Sequence, residues 1–303
     1  VCHRTTYKYA NEVGYARCHL RLTPRSSTLQ TLLKASLAIS PAPADRHDHL
    51  DMFDNVLTTV VIEAPHRQLV VEAQCLVDVR SPTPIAAHES EAWEAARTAG
   101  LASLSLAPAS PSLYAYPTRS TPLVPAITEF ALASFTPQRP ILEASADLLG
   151  RLKAHFVYDP DATEVNTHIQ EAFGKRRGVC QDFAHVMISG LRGIGLTARY
   201  VSGYILTVPA PGQPRLEGAD ASHAWIELWC GPDLGWVGMD PTNNMFAGEE
   251  HIVLACGRDY GDVAPISGIL LGSGRQTLKV EVDVEKQGET PADNVIDLAL
   301  SRA

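Results

Sequence analysis

The stretch "RRGVCQDFAHVMISGL", residues 176–191, sets a cysteine directly behind a glycine turn and at the first turn of an apolar helix. Phe183, Met187, Leu191 and Ile194 fall on one stripe of that helix, and Cys180, three residues before Phe183, lies on the same stripe. The thiol therefore faces the interior. A helix N-terminus carries about half a positive charge, which favours the thiolate, the reactive form of a cysteine. Nucleophilic chemistry further requires a base within hydrogen-bond reach and an acceptor that orients the base.

Downstream runs offer both. "SHAWIELWC" reads as a strand with His223 near its start, and "GWVGMDPTN" as a strand ending on Asp240, before a proline that cannot donate to a sheet ladder. If "GPDLG" closes a hairpin between them, a two-residue loop pairs Cys230 with Asp233 and a four-residue loop pairs Cys230 with Gly235. Either register puts His223 and Asp240 on one face. The first sets them opposite at about 5 Å between Cβ atoms, the second diagonally at about 7 to 8 Å. An odd loop length would separate them. Cys180, His223 and Asp240 are thus the candidate nucleophile, base and orienting acid.

Around this core the hydrophobic period changes along the chain. Residues 1–85 alternate apolar and polar in short runs such as "YARCHLRLTP", "NVLTTVVIEAP" and "QLVVEAQCLVDV", which predicts an N-terminal antiparallel β-sandwich. Residues 86–139, rich in Pro, Ser and Ala, read as a connector with short helices near "ESEAWEAARTAG" and "PLVPAITEFALASF", packed on the second domain. Residues 140–303 open with the amphipathic helix "PILEASADLLGRLKAHF", add a short helix "VNTHIQEAFGK" and then the cysteine helix. Strands "ARYVSGYI", "HAWIELWC", "GWVGMDPT", "HIVLACG" and "TLKVEVDV" follow. The expected fold class is α+β: a sandwich followed by a cysteine-bearing helix packed on an antiparallel sheet.

Composition narrows the function. With 25 Lys and Arg against 34 Asp and Glu, a net charge of -9 repels nucleic acid and anionic lipid, so neither is an expected partner. No run approaches the roughly 18 to 20 apolar residues of a membrane span, and "VCHRTTYKYA" lacks a signal-peptide core, so a cytoplasmic location is expected. Six cysteines without a C-x-x-C spacing make neither a disulfide scaffold nor a zinc motif. No cofactor and no metal are expected, and the oligomeric state is not written in the sequence.

"RGVCQDFAHVMISGLRGIGLTARYVSGY", "ASHAWIELW", "GWVGMDPTNN" and "HIVLACGRDYGDVAPISG" resemble the core motifs of bacterial transglutaminase-like proteins, often labelled cysteine proteases. "TTYKY", "LRLTP" and "PHRQLVVEA" resemble the N-terminal β-domain such proteins carry. The resemblance implies a papain-like α+β core and a Cys-His-Asp triad on Cys180, His223 and Asp240. It also suggests Tyr158, in "HFVYDP", as an oxyanion donor beside the backbone N–H of Cys180. Gln181 stands where animal transglutaminases place Trp, and no calcium-binding insertion is present; both favour the bacterial branch. Asp54 precedes Asn55 where relatives tend to have Gly-Asn, which alters a turn.

The leading expectation is a cysteine enzyme that transfers acyl groups from peptide or protein amides through a thioester, hydrolysis being favoured and transamidation open. Its acidity suits neutral or basic peptides. A non-catalytic peptide-binding module and a zinc hydrolase using Cys180, His223 and Asp240 as ligands are the competing readings. Tyr204 and Tyr260 are candidates for a substrate groove, whereas Trp225 reads as core. Asp182 is expected to serve the helix N-terminus and to pair with Arg176 or Arg199. "DRHDHLD", with His47 and His49, reads as a solvated loop, and Gly190, Gly193 and Gly195 as a helix end rather than a dinucleotide fingerprint.

Overall fold

The computed structural model describes residues 1–83, 86–207 and 222–288. Six strands open the chain: β1 (Cys2–Val13), β2 (Tyr15–Leu20), β3 (Gln30–Ser40), β4 (Asp45–Leu50), β5 (Val56–Ile62) and β6 (His66–Val79). Helices α1 (Trp93–Leu101), α2 (Pro125–Leu132) and α3 (Ile141–His155) follow, then β7 (Val157–Tyr158), α4 (Ile169–Lys175), β8 (Arg177–Gly178) and α5 (Cys180–Gly193). The remainder is β9 (Ala198–Ile205), β10 (Ser222–Trp229), β11 (Trp236–Asp240), β12 (Met245–Phe246), β13 (His251–Gly257), α6 (Tyr260–Val263), β14 (Ile266–Leu271) and β15 (Gln276–Asp283).

The alternating runs form a sandwich of two four-stranded antiparallel sheets, in the orders β15-β1-β6-β3 and β14-β2-β5-β4. Inward residues Ala16, Cys18, Leu20, Val60, Ile62, Leu69 and Val71 make its core. Two of its strands come from the far end of the chain. β15 pairs with β1 from Cys2↔Asp283 to Tyr9↔Gln276, and β14 pairs with β2 from Leu20↔Ile266 to Tyr15↔Leu271. This corrects the assignment of "TLKVEVDV" and of all residues after 140 to the core: period-2 alternation identifies a strand but not the sheet it joins. "DRHDHLD" is likewise the exposed edge strand β4 rather than a loop.

The second unit is built on α5. Phe183, Met187 and Leu191 are buried in a cluster shared with Leu148 and Leu152 of α3, Ile127 and Ala131 of α2 and Ile226 and Leu228 of β10. α2 comes close enough that a Cβ on Gly190 would stand 2.8 Å from the Ala131 Cβ, and one on Gly193 would collide with Thr128. Arg192, 3% exposed, donates to the carbonyls of Tyr114, Ala198 and Arg258 and to the Thr121 hydroxyl, fastening residues 86–139 to the core. Behind α5 lies a five-stranded antiparallel sheet, β12-β11-β10-β9-β13.

The outer edge of β13 is closed by two sandwich side chains. The Gln30 amide donates to Val253 O and accepts from Val253 N, both at 2.8 Å, and the Asn55 amide does the same for Cys256. Asp54 supports this reach by adopting φ 67°, the left-handed conformation that a glycine takes most readily. No helix among the described residues is long and apolar enough to cross a membrane.

Candidate active site

Cys180 opens α5 because Val179 is extended, with φ −100° and ψ 176°, and the chain turns into the helix immediately after it. Asp182, the third helical residue, accepts from Val179 N at 2.9 Å and from Thr163 Oγ1 at 2.6 Å. Burial pushes the Asp182 carboxyl up, against those two hydrogen bonds. Its expected pairing with Arg176 or Arg199 is not what the structure holds: Arg199 binds Glu227 and lies over the Trp236 ring. As in any first helical turn, the N–H groups of Cys180 and Gln181 have no helical carbonyl to bond. Half-buried Cys180 therefore stands at a cluster of donors.

The β10–β11 hairpin takes the four-residue loop. Ile226 faces Met239, Trp229 faces Trp236, and Cys230 N donates to Gly235 O at 2.7 Å. His223 and Asp240 are diagonal, and His223 Nε2 reaches Asp240 Oδ2 at 2.8 Å. A carboxylate only accepts, so Nε2 carries the hydrogen and Nδ1 keeps its lone pair. Burial opposes charge on the ring, but the hydrogen bonds to Asp240 and Cys180 outweigh it and hold the His223 imidazolium up at about 9.

Asp240 is completely buried. Oδ1 accepts from Thr242 N at 2.9 Å and Asn243 N at 3.2 Å; Oδ2 accepts from His223, from Asn243 Nδ2 at 2.6 Å and from His251 Nε2 at 3.2 Å. Burial alone would raise its pKa and favour the neutral form, yet bonds from His223, His251 and Asn243 hold it well below the ordinary carboxylate range. Ligand-type atoms of His223, Asp240 and His251 lie within 4.8 Å of one another, a set chemically able to hold a metal. The spacings to Oδ2, however, are those of hydrogen bonds.

Residues 1–78 match the bacterial transglutaminase-like N-terminal region, and residues 131–241 match the transglutaminase-like superfamily core. An uncharacterised protein of Mycobacterium tuberculosis (strain ATCC 25618 / H37Rv) is 39% identical over 291 residues, covering 94% of this chain and 91% of its own. The chain belongs to the transglutaminase-like superfamily. A Mycobacterium leprae (strain TN) relative is 32% identical over 289 residues, covering 94% of this chain and 98% of its own. The fold is shared with a "Putative Cysteine Protease" from Cytophaga hutchinsonii, at TM-score 0.66 and 17% identity over 94% of this chain and 91% of that one. A shorter match, 36% identical over 89 residues, joins 29% of this chain to 13% of a Protein-glutamine gamma-glutamyltransferase of Pseudomonas aeruginosa (strain PAO1).

In this transglutaminase-like core the tyrosines fare differently. Tyr158, 47% exposed, lies on β7 opposite Gly178, two residues before Cys180. Partial burial and the neighbouring Cys180 push its phenol up. Tyr204 corrects its expected place in a groove: it is 1% exposed and its hydroxyl meets His3 Nδ1 at 2.8 Å, because β9 is covered on both faces. Tyr260 is half-buried and meets Tyr200 edge-on at 6.3 Å. Among the described residues, no hydrogen bond or ring contact joins Tyr204 or Tyr260 to Cys180, His223 or Asp240. Two site residues were missed. Asn243 stands in "DPTNN", a polar turn behind the acid, and His251, like His223, begins or nearly begins a strand of the same sheet.

Proposed function

We propose that this transglutaminase-like protein is a cysteine-dependent acyl-transfer enzyme acting on peptide or protein amides. The observation that carries the reading is the position of His223, bonded to buried Asp240 at 2.8 Å and neighboured by the Cys180 side chain at the α5 N-terminus, which raises its pKa together with Asp240. His223 Nδ1 takes the thiol proton, and Asp240 holds the ring in the required tautomer and stabilises its charge. The Cys180 sulfur attacks the amide carbonyl; the tetrahedral oxyanion lies against the Cys180 N–H, with the Tyr158 hydroxyl as the proposed second donor. His223 returns its proton to the departing nitrogen, ammonia or an amine leaves, and a thioester remains. Water then releases the acid, or an amine takes the acyl group. Hydrolysis is the favoured outcome, and the shared segment with the glutamyltransferase keeps transamidation in the reading. Six free thiols suit a reducing compartment, so a cytoplasmic setting belongs to the same proposal.

The test is the rate of Cys180 alkylation by iodoacetamide against pH, located by peptide mass spectrometry, in the native protein and in His223→Ala. Fast modification that persists below pH 7 and disappears in the variant supports a thiolate–imidazolium pair. Slow modification that rises only in the ordinary thiol range and ignores the substitution would replace the enzyme with a peptide-binding module. Sensitivity of the native rate to chelator would instead favour a zinc hydrolase.

A further inference from the structure

We infer that His251 is a positioning residue for the His223–Asp240 pair, holding the Asp240 carboxylate and sharing its charge. The inference rests on the acyl-transfer reading and deepens it by adding a fourth side chain behind the three.

In sheet order His251 belongs to β13, separated from Asp240 on β11 by both β9 and β10. It nevertheless reaches Asp240 Oδ2 at 3.2 Å, because its ring crosses the sheet end edge-on over Trp225, at 5.1 Å and 75°. Trp225 in turn stacks on His223 at 6.0 Å, so one buried indole spaces the two imidazoles. The ring is fixed at its other nitrogen too. Gly248 N donates to His251 Nδ1 at 3.2 Å while His251 N donates to Gly248 O at 3.0 Å. Nδ1 therefore holds the lone pair, and Nε2–H points at Asp240. With 2% side-chain exposure, the imidazole has no water to substitute for that bond.

Asp240 Oδ2 consequently serves three donors: His223, His251 and Asn243. Donors compete for the charge of one oxygen, so His251 lowers the share given to His223 and keeps its proton from being held too tightly for release to a leaving group. The charged and titratable groups around this point are Cys180 from α5, His223 from β10, Asp240 from β11, and Lys153 from α3, whose Nζ reaches Thr242 O at 2.8 Å.

Three variants separate this role from mere support. His251→Leu removes both bonds, His251→Asn retains an acceptor for Gly248 N–H but falls short of Asp240, and His251→Gln places an N–H at the reach of Nε2. The readout is the pH profile of iodoacetamide alkylation at Cys180, taken where circular dichroism shows the native fold. The Leu and Asn variants should move the alkaline limb upward by about one pH unit, the scale of one charge-assisted hydrogen bond shared among donors, and Gln should restore the native profile. An Asn profile identical to native would overturn the inference and leave His251 a loop support. Failure of the Leu variant to fold leaves the Asn and Gln pair to decide. If the native protein alkylates slowly and His223→Ala changes nothing, it is the acyl-transfer reading that fails, an outcome visible before any His251 variant is made.

Discussion

His223 Nε2 lies 2.8 Å from Asp240 Oδ2 even though the two residues are diagonal, not opposite, on β10 and β11. The four-residue loop sets this register, and a fully buried carboxylate with five donors is the result. Asp240→Asn turns an all-acceptor site into one where an NH2 group faces N–H donors whichever way the amide is placed. The His223 ring then loses the partner that holds its charge up at about 9. Acyl transfer should fall by roughly 10² to 10⁴-fold, the range for loss of general acid–base function. The alkaline limit of fast Cys180 alkylation should drop with it, as measured by iodoacetamide kinetics.

Acid stability should report the joint between the two units. Burial depresses the His3 ring to about 4, and its two nitrogens bond Tyr204 and Thr5 at 2.8 Å each. Between the ordinary value near 6.5 and about 4 the unfolded chain binds a proton that the folded chain refuses. The stabilisation is therefore complete above pH 6.5 and drains away as pH falls through 4, to a total of roughly 3 kcal/mol. Urea unfolding from pH 7 to pH 4 should show this loss, and His3→Gln should flatten that limb. His185, also depressed to about 4 by burial, keeps part of the acid dependence in the variant.

The legible parts of the fold and site are those fixed locally. A glycine before the cysteine and a 3.6-residue apolar stripe after it place Cys180 at a helix start, and a short hairpin loop puts His223 and Asp240 within reach of each other, from the sequence alone. What stayed hidden depends on sheet order. β15 alternates like the strands before it and β14 is a short apolar run, and only the open edges of the sandwich decide that they return to β1 and β2. His251 meets Asp240 by a route around the sheet end that no spacing encodes. Tyr204 resembles a surface aromatic in "YVSGYI" until the sandwich covers the far face of β9.

Gly203 marks a tight point behind the imidazole. It faces His223 on β10 and Val253 on β13, and a Cβ there would strike the Ile252 carbonyl and the Trp225 ring. Since Trp225 packs against both His223 and His251, the collision is passed to the site. Gly203→Ala should cost about 1 to 3 kcal/mol by overpacking. It should also lower acyl transfer by about 10²-fold, as a misplaced catalytic group does. Thermal unfolding and single-turnover kinetics on the folded variant check the two effects separately.

Asn55 closes the edge of β13 and should be among the costliest polar residues to remove. Its Oδ1 accepts from Cys256 N and its Nδ2 donates to Cys256 O, both at 2.8 Å, with no exposure at Asn55 and 1% at Cys256. Gln30 makes the same two bonds to Val253, so the amides bracket a register shift between Val253 and Ala255 where β13 departs from β9 pairing. Asn55→Ala leaves a buried N–H and a buried C=O unpaired, each worth about 1 to 3 kcal/mol, so a loss of about 2 to 5 kcal/mol is expected in urea unfolding. Asn55→Asp keeps the acceptor for Cys256 N but sets a carboxylate against Cys256 O and beside Asp51, which Asn55 Nδ2 now reaches at 3.1 Å. Its loss should therefore be smaller at pH 4 than at pH 7, as protonation restores a donor, whereas the loss in Asn55→Ala should not depend on pH over that range.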